Sequence, residues 1–204
     1  MFFWTTELLA PFFYLRVKTG DGGLTRKIFI DIILPAILSA ITVFLSKILD
    51  IEYSFLGENG LFHSFSTAFQ IFAAFFIAAL AAVATFDRKG LDTNLKGDSA
   101  WITQWSNSKQ AMVRREITRR MYICYLFSYL SGICLFFVII LPFSSIYGAA
   151  IGQHIKKSSE SLYSILFLGF EYIFYFCVWS IFLLSLVAIR FLGDRLQNMD
   201  TDFQ

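Results

Sequence analysis

Residues Ser161–Arg190 read SLYSILFLGFEYIFYFCVWSIFLLSLVAIR, and between Leu162 and Ile189 stand 28 residues with a single formal charge, Glu171. A run this long and this apolar reads as a membrane-spanning helix. At about 1.5 Å per residue it reaches about 42 Å, more than the roughly 30 Å of a hydrocarbon core, so it must tilt or protrude. A carboxylate inside such a helix costs about 3 kcal/mol or more at mid-bilayer, and therefore needs a partner, a proton or a watery cavity.

Composition points the same way. Hydrophobic residues make up 57% of the 204 and charged residues 16%, against about one quarter charged in a soluble domain. The length allows one compact bundle and no large soluble domain. Cys124, Cys134 and Cys177 all lie in apolar runs, which fits reduced packing residues rather than a disulfide framework. There is no CxxC and no Cys/His ligand spacing, so neither a structural zinc nor any other cofactor is expected.

Three further apolar runs share this character. Residues 28–49 form the first span, with Asp31 one turn inside its start and Pro35 four residues on. Pro35 lacks the N–H that would bond the carbonyl of residue 31, which predicts a mild kink. Residues 62–86 form the second span, and within it Ala74, Ala78 and Ala82 make a small-residue stripe that lets helix backbones approach closely, within the chain or between copies. Residues 121–141 form the third, where Cys124, Ser128 and Gly132 repeat that pattern, and Pro142 is expected to end it. Residues 162–190 are the fourth. The class expected is all-α: a polytopic integral membrane protein, a four-transmembrane-helix bundle with a cytoplasmic basic hairpin or helical extension.

The connecting segments carry the polarity. Residues 1–27 are aromatic but broken by Glu7 and Pro11. They read as an interfacial segment with Trp4 and Tyr14 at headgroup level, or else as a segment packed on the bundle's side. Residues 50–61 form a short acidic outer loop and 142–161 a second outer loop, while 191–204 form a polar tail. Residues 87–120 are the longest polar stretch. Asp98 or Ser99 is placed to cap a helix from about Ala100 that runs on into the third span, with Trp101 and Trp105 on one face at i, i+4 spacing.

Four spans put both termini on one side. That side carries 14 of the 17 basic residues, and the other only Lys47, Lys156 and Lys157. The positive-inside rule then places both termini in the cytoplasm. No internal repeat is evident, which disfavours an inverted-repeat transporter.

Depth counting sets Glu171 level with Ala40, Ile71 and Gly132, so Gln70, Ser131 and Tyr175 are its expected hydrogen-bond partners. Asp31 is expected to pair with Arg119, Arg120 or Arg190 at the cytoplasmic rim. His63 and His154 are too scattered for a metal site. No Ser/His/Asp set, nucleophile elbow or phosphate-cradling glycine loop occurs, so no catalytic residue is nominated.

The layout of four spans, an acidic outer loop and the basic segment ATFDRKGLDTNLKGDSAWITQW (Ala84–Trp105) resembles the small membrane subunits of bacterial anti-phage defence systems, the Kiwa membrane subunit among them. The resemblance covers the chain in outline and rests on layout, not on a motif. It implies a multimeric membrane sensor or anchor coupled to a soluble, nucleic-acid-binding partner. The leading expectation is a non-enzymatic subunit that oligomerises and docks a cytoplasmic protein through Trp101, Trp105, Arg114 and Arg115, without touching nucleic acid itself. A pore-forming, membrane-depolarising effector is the alternative. A small transporter or membrane enzyme using Glu171 is the third.

Overall fold

The computed structural model describes residues 10–18, 27–49, 61–85, 100–106 and 110–197. Trp4, the acidic loop 50–60, most of the basic segment before Ala100 and the last residues of the tail lie outside them. A short 3-10 helix, Ala10–Arg16, comes first. Helix α1 follows as a π-helical turn, Phe29–Ile33, running into α-helix Leu34–Ile48. Then come α2 (Leu61–Thr85), strands β1 (Trp101–Ser106) and β2 (Ala111–Glu116), α3 (Arg119–Ser158) and α4 (Glu160–Gln197). Four of these helices are long and apolar enough to cross a membrane. The chain is an all-α, multi-pass four-helix membrane bundle with a small β-hairpin at one end.

The kink expected in α1 is a π turn. The amide of Leu34 donates to the carbonyl of Phe29, five residues back. Pro35 has no N–H to give, and its ring crowds the preceding turn, so the helix widens there before resuming normal pitch.

Packing follows the order α2–α3–α4–α1, with α2 chiefly on α3 and α1 chiefly on α4. The core is aromatic. Phe69 stacks on Phe137 at 5.0 Å between ring centres, Phe137 meets Phe174 edge-on, and Phe76 meets Phe127. Such offset and edge-on pairs each add about 1 kcal/mol beyond area burial. Helix α4 is also tied to α1 by polar contacts: Trp179 Nε1 donates to Thr42 Oγ1 at 3.0 Å, and Tyr172 Oη to the carbonyl of Ala36 at 3.3 Å. Large apolar side chains outside the core, such as Phe44, Ile71, Phe136 and Ile173, are exposed on the bundle's surface. A lipid bilayer is the solvent that tolerates them.

Two helices are longer than expected. Pro142 does not end the third span; α3 continues to Ser158 through it. A proline within an apolar helix removes one backbone bond, and the freed groups are re-satisfied locally, so the helix survives. At about 1.5 Å per residue, α3 is roughly 60 Å long, twice a hydrocarbon core. The second outer loop expected at 142–161 is therefore a helical hairpin, with its turn at Ser159. Likewise α4 passes Arg190 and ends at Gln197.

The basic segment is also different. From Trp101 it forms a β-hairpin, not a helix. The residues of the first strand explain this: WITQWS carries two tryptophans, an isoleucine and a threonine, types that favour strands. Ile102 is buried while Thr103 is exposed. Gln110 closes the turn at φ 44°, in the left-handed region.

Candidate functional site

At the β-hairpin end, three segments meet. Lys18 and Trp101 exchange backbone hydrogen bonds at 2.9 and 2.8 Å, and the amide of Ile117 donates to the carbonyl of Ala100 at 2.9 Å. Under these bonds Val17, Ala100, Ile102 and Ile117 form a second, small core. The hairpin is thus mounted on the bundle, with only Ile117 and Thr118 between β2 and α3. Thr118 caps α3, accepting from the amide of Met121. Trp105 pairs with Met112 in the strand ladder, and its side chain lies outside those described. The Arg114 guanidinium lies 3.4 Å from the centre of the Trp101 ring, a cation–π contact. Arg114, Arg115, Arg16 and Lys18 are all exposed.

Beside this platform lies a buried polar knot. Asp31 accepts from Tyr14 Oη at 3.2 Å and pairs with Lys27 at 3.2 Å. Lys27 also donates to the Tyr14 carbonyl and sits 4.4 Å from its ring centre. Asp31 therefore pairs with Lys27, one turn before it on the same helix, and not with Arg119, Arg120 or Arg190. Arg120 instead donates to the carbonyls of Val83 and Ala84, closing the end of α2, where a helix leaves carbonyls unpaired. Tyr14 is buried against Tyr129 and Tyr122. Burial, then the neighbouring Tyr122 and Asp31, push its phenol well above the usual value. The 3-10 helix Ala10–Arg16 thus packs against α3.

Glu171 is buried at the opposite end. Ser46 Oγ donates to its carboxylate at 3.4 Å, and Lys47 Nζ lies 3.8 Å away. Both are in the last turn of α1, so Glu171 sits level with that helix's end and not at mid-span. The depth count erred because it began at Leu162, in the helical hairpin that overshoots the other spans. Gln70 is exposed on α2, and the Ser131 hydroxyl turns back to the carbonyl of Ser128, so neither reaches Glu171. Sequence reasoning passed over Ser46 and Lys47; the signal was the lysine in the closing turn of the first span.

The small-residue faces separate. Ala74 and Ala78 are exposed and Ala82 is half-buried, so that stripe does little packing within the chain. Gly132 meets Pro11: a Cβ there would stand 3.0 Å from the proline's own Cβ. Ser128 lies one turn earlier, half-buried. Among the described residues no group of three His, Cys, Asp or Glu side chains is placed to hold a metal.

No protein-family model, curated protein or solved structure matches the chain.

Proposed function

We propose that this protein is a non-enzymatic subunit of a bacterial inner membrane, with both termini cytoplasmic, that assembles with copies of itself and holds a soluble cytoplasmic protein at its β-hairpin. The observation that carries this reading is the mounted hairpin. Basic residues that only set topology need no folded support, since their number near the span ends suffices. Here Arg114 is laid over Trp101, and strand, second core and helix cap fix both to the bundle. Aromatic and arginine side chains held rigidly are the usual anchors of protein interfaces. An anti-phage sensor or anchor is the setting that the resemblance of layout suggests.

A pore is less well served. A lumen needs polar groups on one surface, and Gln70 is exposed on α2, Ser131 is turned back onto its own helix and Glu171 is buried against α1.

The test is co-purification from the native host. Trp101→Ala with Arg114→Ala is expected to abolish recovery of the soluble partner while membrane level stays normal. Because Trp101 also supports the hairpin, Arg114→Glu with Arg115→Glu serves as a surface-only second variant with the same expected loss. Retention of the partner by both variants, or recovery of no partner by the wild type, overturns the docking role.

A further inference from the structure

The helical hairpin leaves an apolar groove that neither the packing of the spans nor the β-hairpin accounts for. Helix α1 ends at Ile48, and its Lys47 reaches α4 at Phe167 and Glu171. Beyond that level α3 and α4 continue as a pair. Between them opens a cavity of about 550 Å³, within the roughly 300–1,000 Å³ of small-molecule sites. Small residues hollow one wall: Ser144, Gly148 and Gly152. Aromatic rings make the other: Tyr163, Phe167 and Phe170. Near the turn the walls close, since a Cβ on Gly152 would stand 3.2 Å from the Tyr163 ring. From Ile140 to Ile155, its extreme lining residues on α3, the groove runs about 22 Å at 1.5 Å per residue.

Its two ends differ. At Ile140 and Phe170 it joins a second apolar cleft that runs down the membrane-spanning part of α3 and α4. At Ile155 it ends beside exposed lysines. Lys156 and Lys157 follow Ile155 in the chain, and Glu160 is the acid nearest to them in sequence. A long uncharged slot that opens on the hydrocarbon and finishes at a pair of lysines is complementary to a long chain carrying a negative head.

We propose that this groove binds an acyl chain of an anionic phospholipid, with the phosphate held at Lys156 and Lys157. The lipid enters from the leaflet at Ile140 and Phe170, and its head travels to the turn of the hairpin. Its chain then covers apolar side chains that no other helix covers beyond the end of α1. The glycines are what make room, and the lysines are what select the head.

Native mass spectrometry of the full chain in detergent tests this, with phosphatidylglycerol and phosphatidylcholine of equal chain length added in parallel. The wild type is expected to retain phosphatidylglycerol preferentially. Lys156→Gln with Lys157→Gln is expected to lower that retention to the phosphatidylcholine level. Gly148→Phe, which fills the slot, is expected to remove both lipids. Retention that is equal for the two lipids in the wild type, unchanged in the lysine variant, or absent altogether overturns the proposal. So does a doubled protein mass without lipid, which would mean that a second copy fills the groove. Since the lysine variant alters only exposed side chains, misfolding of Gly148→Phe leaves the proposal open to refutation.

Discussion

Glu171 shows how a charge is accommodated near the end of a span. Its side chain is 3% exposed, while that of Lys47, 3.8 Å away, is 59% exposed. With one partner this exposed, such a pair is worth at most about 1 kcal/mol. Ser46 supplies a long hydrogen bond that an amide oxygen accepts equally well. Glu171→Gln is accordingly expected to keep the fold within about 1 kcal/mol of the wild type, read as the thermal midpoint in detergent. A much larger fall would mean that the carboxylate's charge holds α1 to α4. Tyr14 is the counterpart at the other end. Its hydroxyl joins the N-terminal segment to Asp31, and Tyr14→Phe leaves a buried acid short of one donor. A loss of about 1–3 kcal/mol is expected there, and a midpoint equal to the wild type would show that Lys27 alone satisfies Asp31.

At the scale of elements, the four spans were legible because an apolar run of 20 or more residues has one reading in lipid. Their ends were less so. Pro142 is a stop signal in water, yet α3 passes it, because lipid punishes unpaired backbone more than a missing single bond. The hairpin at Trp101 was misread because an i, i+4 pair of tryptophans satisfies both the helical and the strand period. Ile102, buried beside exposed Thr103, decides for the strand, and that is visible only once the small core under it exists. Ser46 and Lys47 were passed over as partners of Glu171 for the related reason that depth was counted from the overshooting end of α4. The turn of this hairpin offers its own check. Gln110 stands at φ 44°, where a side chain costs about 1–2 kcal/mol that glycine does not pay. Gln110→Gly is expected to raise the midpoint or leave it unchanged; a drop would mean that the glutamine side chain stabilises the turn.

For the whole molecule, the two small-residue faces make opposite claims. Gly132 lies inside the fold against Pro11, so Gly132→Leu overpacks that contact and is expected to cost about 1–3 kcal/mol. Ala78 lies on the bundle's outer surface, so Ala78→Leu is expected to stay within about 0.5 kcal/mol. If copies associate through that face, the same change lowers the mass of the detergent-solubilised assembly while the midpoint holds. The proposed orientation of the bundle rests on charge. Among the described residues Arg16, Lys18, Lys27, Arg114, Arg115, Arg119 and Arg120 gather at the β-hairpin end, whereas Lys47, Lys156 and Lys157 lie at the other. Moving so many cations across a membrane is opposed by the potential at about 2.3 kcal/mol per charge for each 100 mV. Reporter fusions after Gln204 and within Asp92–Gly97 are therefore expected to report cytoplasm. Fusions within Glu52–Gly60, and one inserted at the Ser158–Ser159 turn of the helical hairpin, are expected to report the opposite side. The last insertion matters most, because it also tests whether α3 and α4 emerge together from the far face. A cytoplasmic signal there would reverse the bundle and move the β-hairpin away from any cytoplasmic partner.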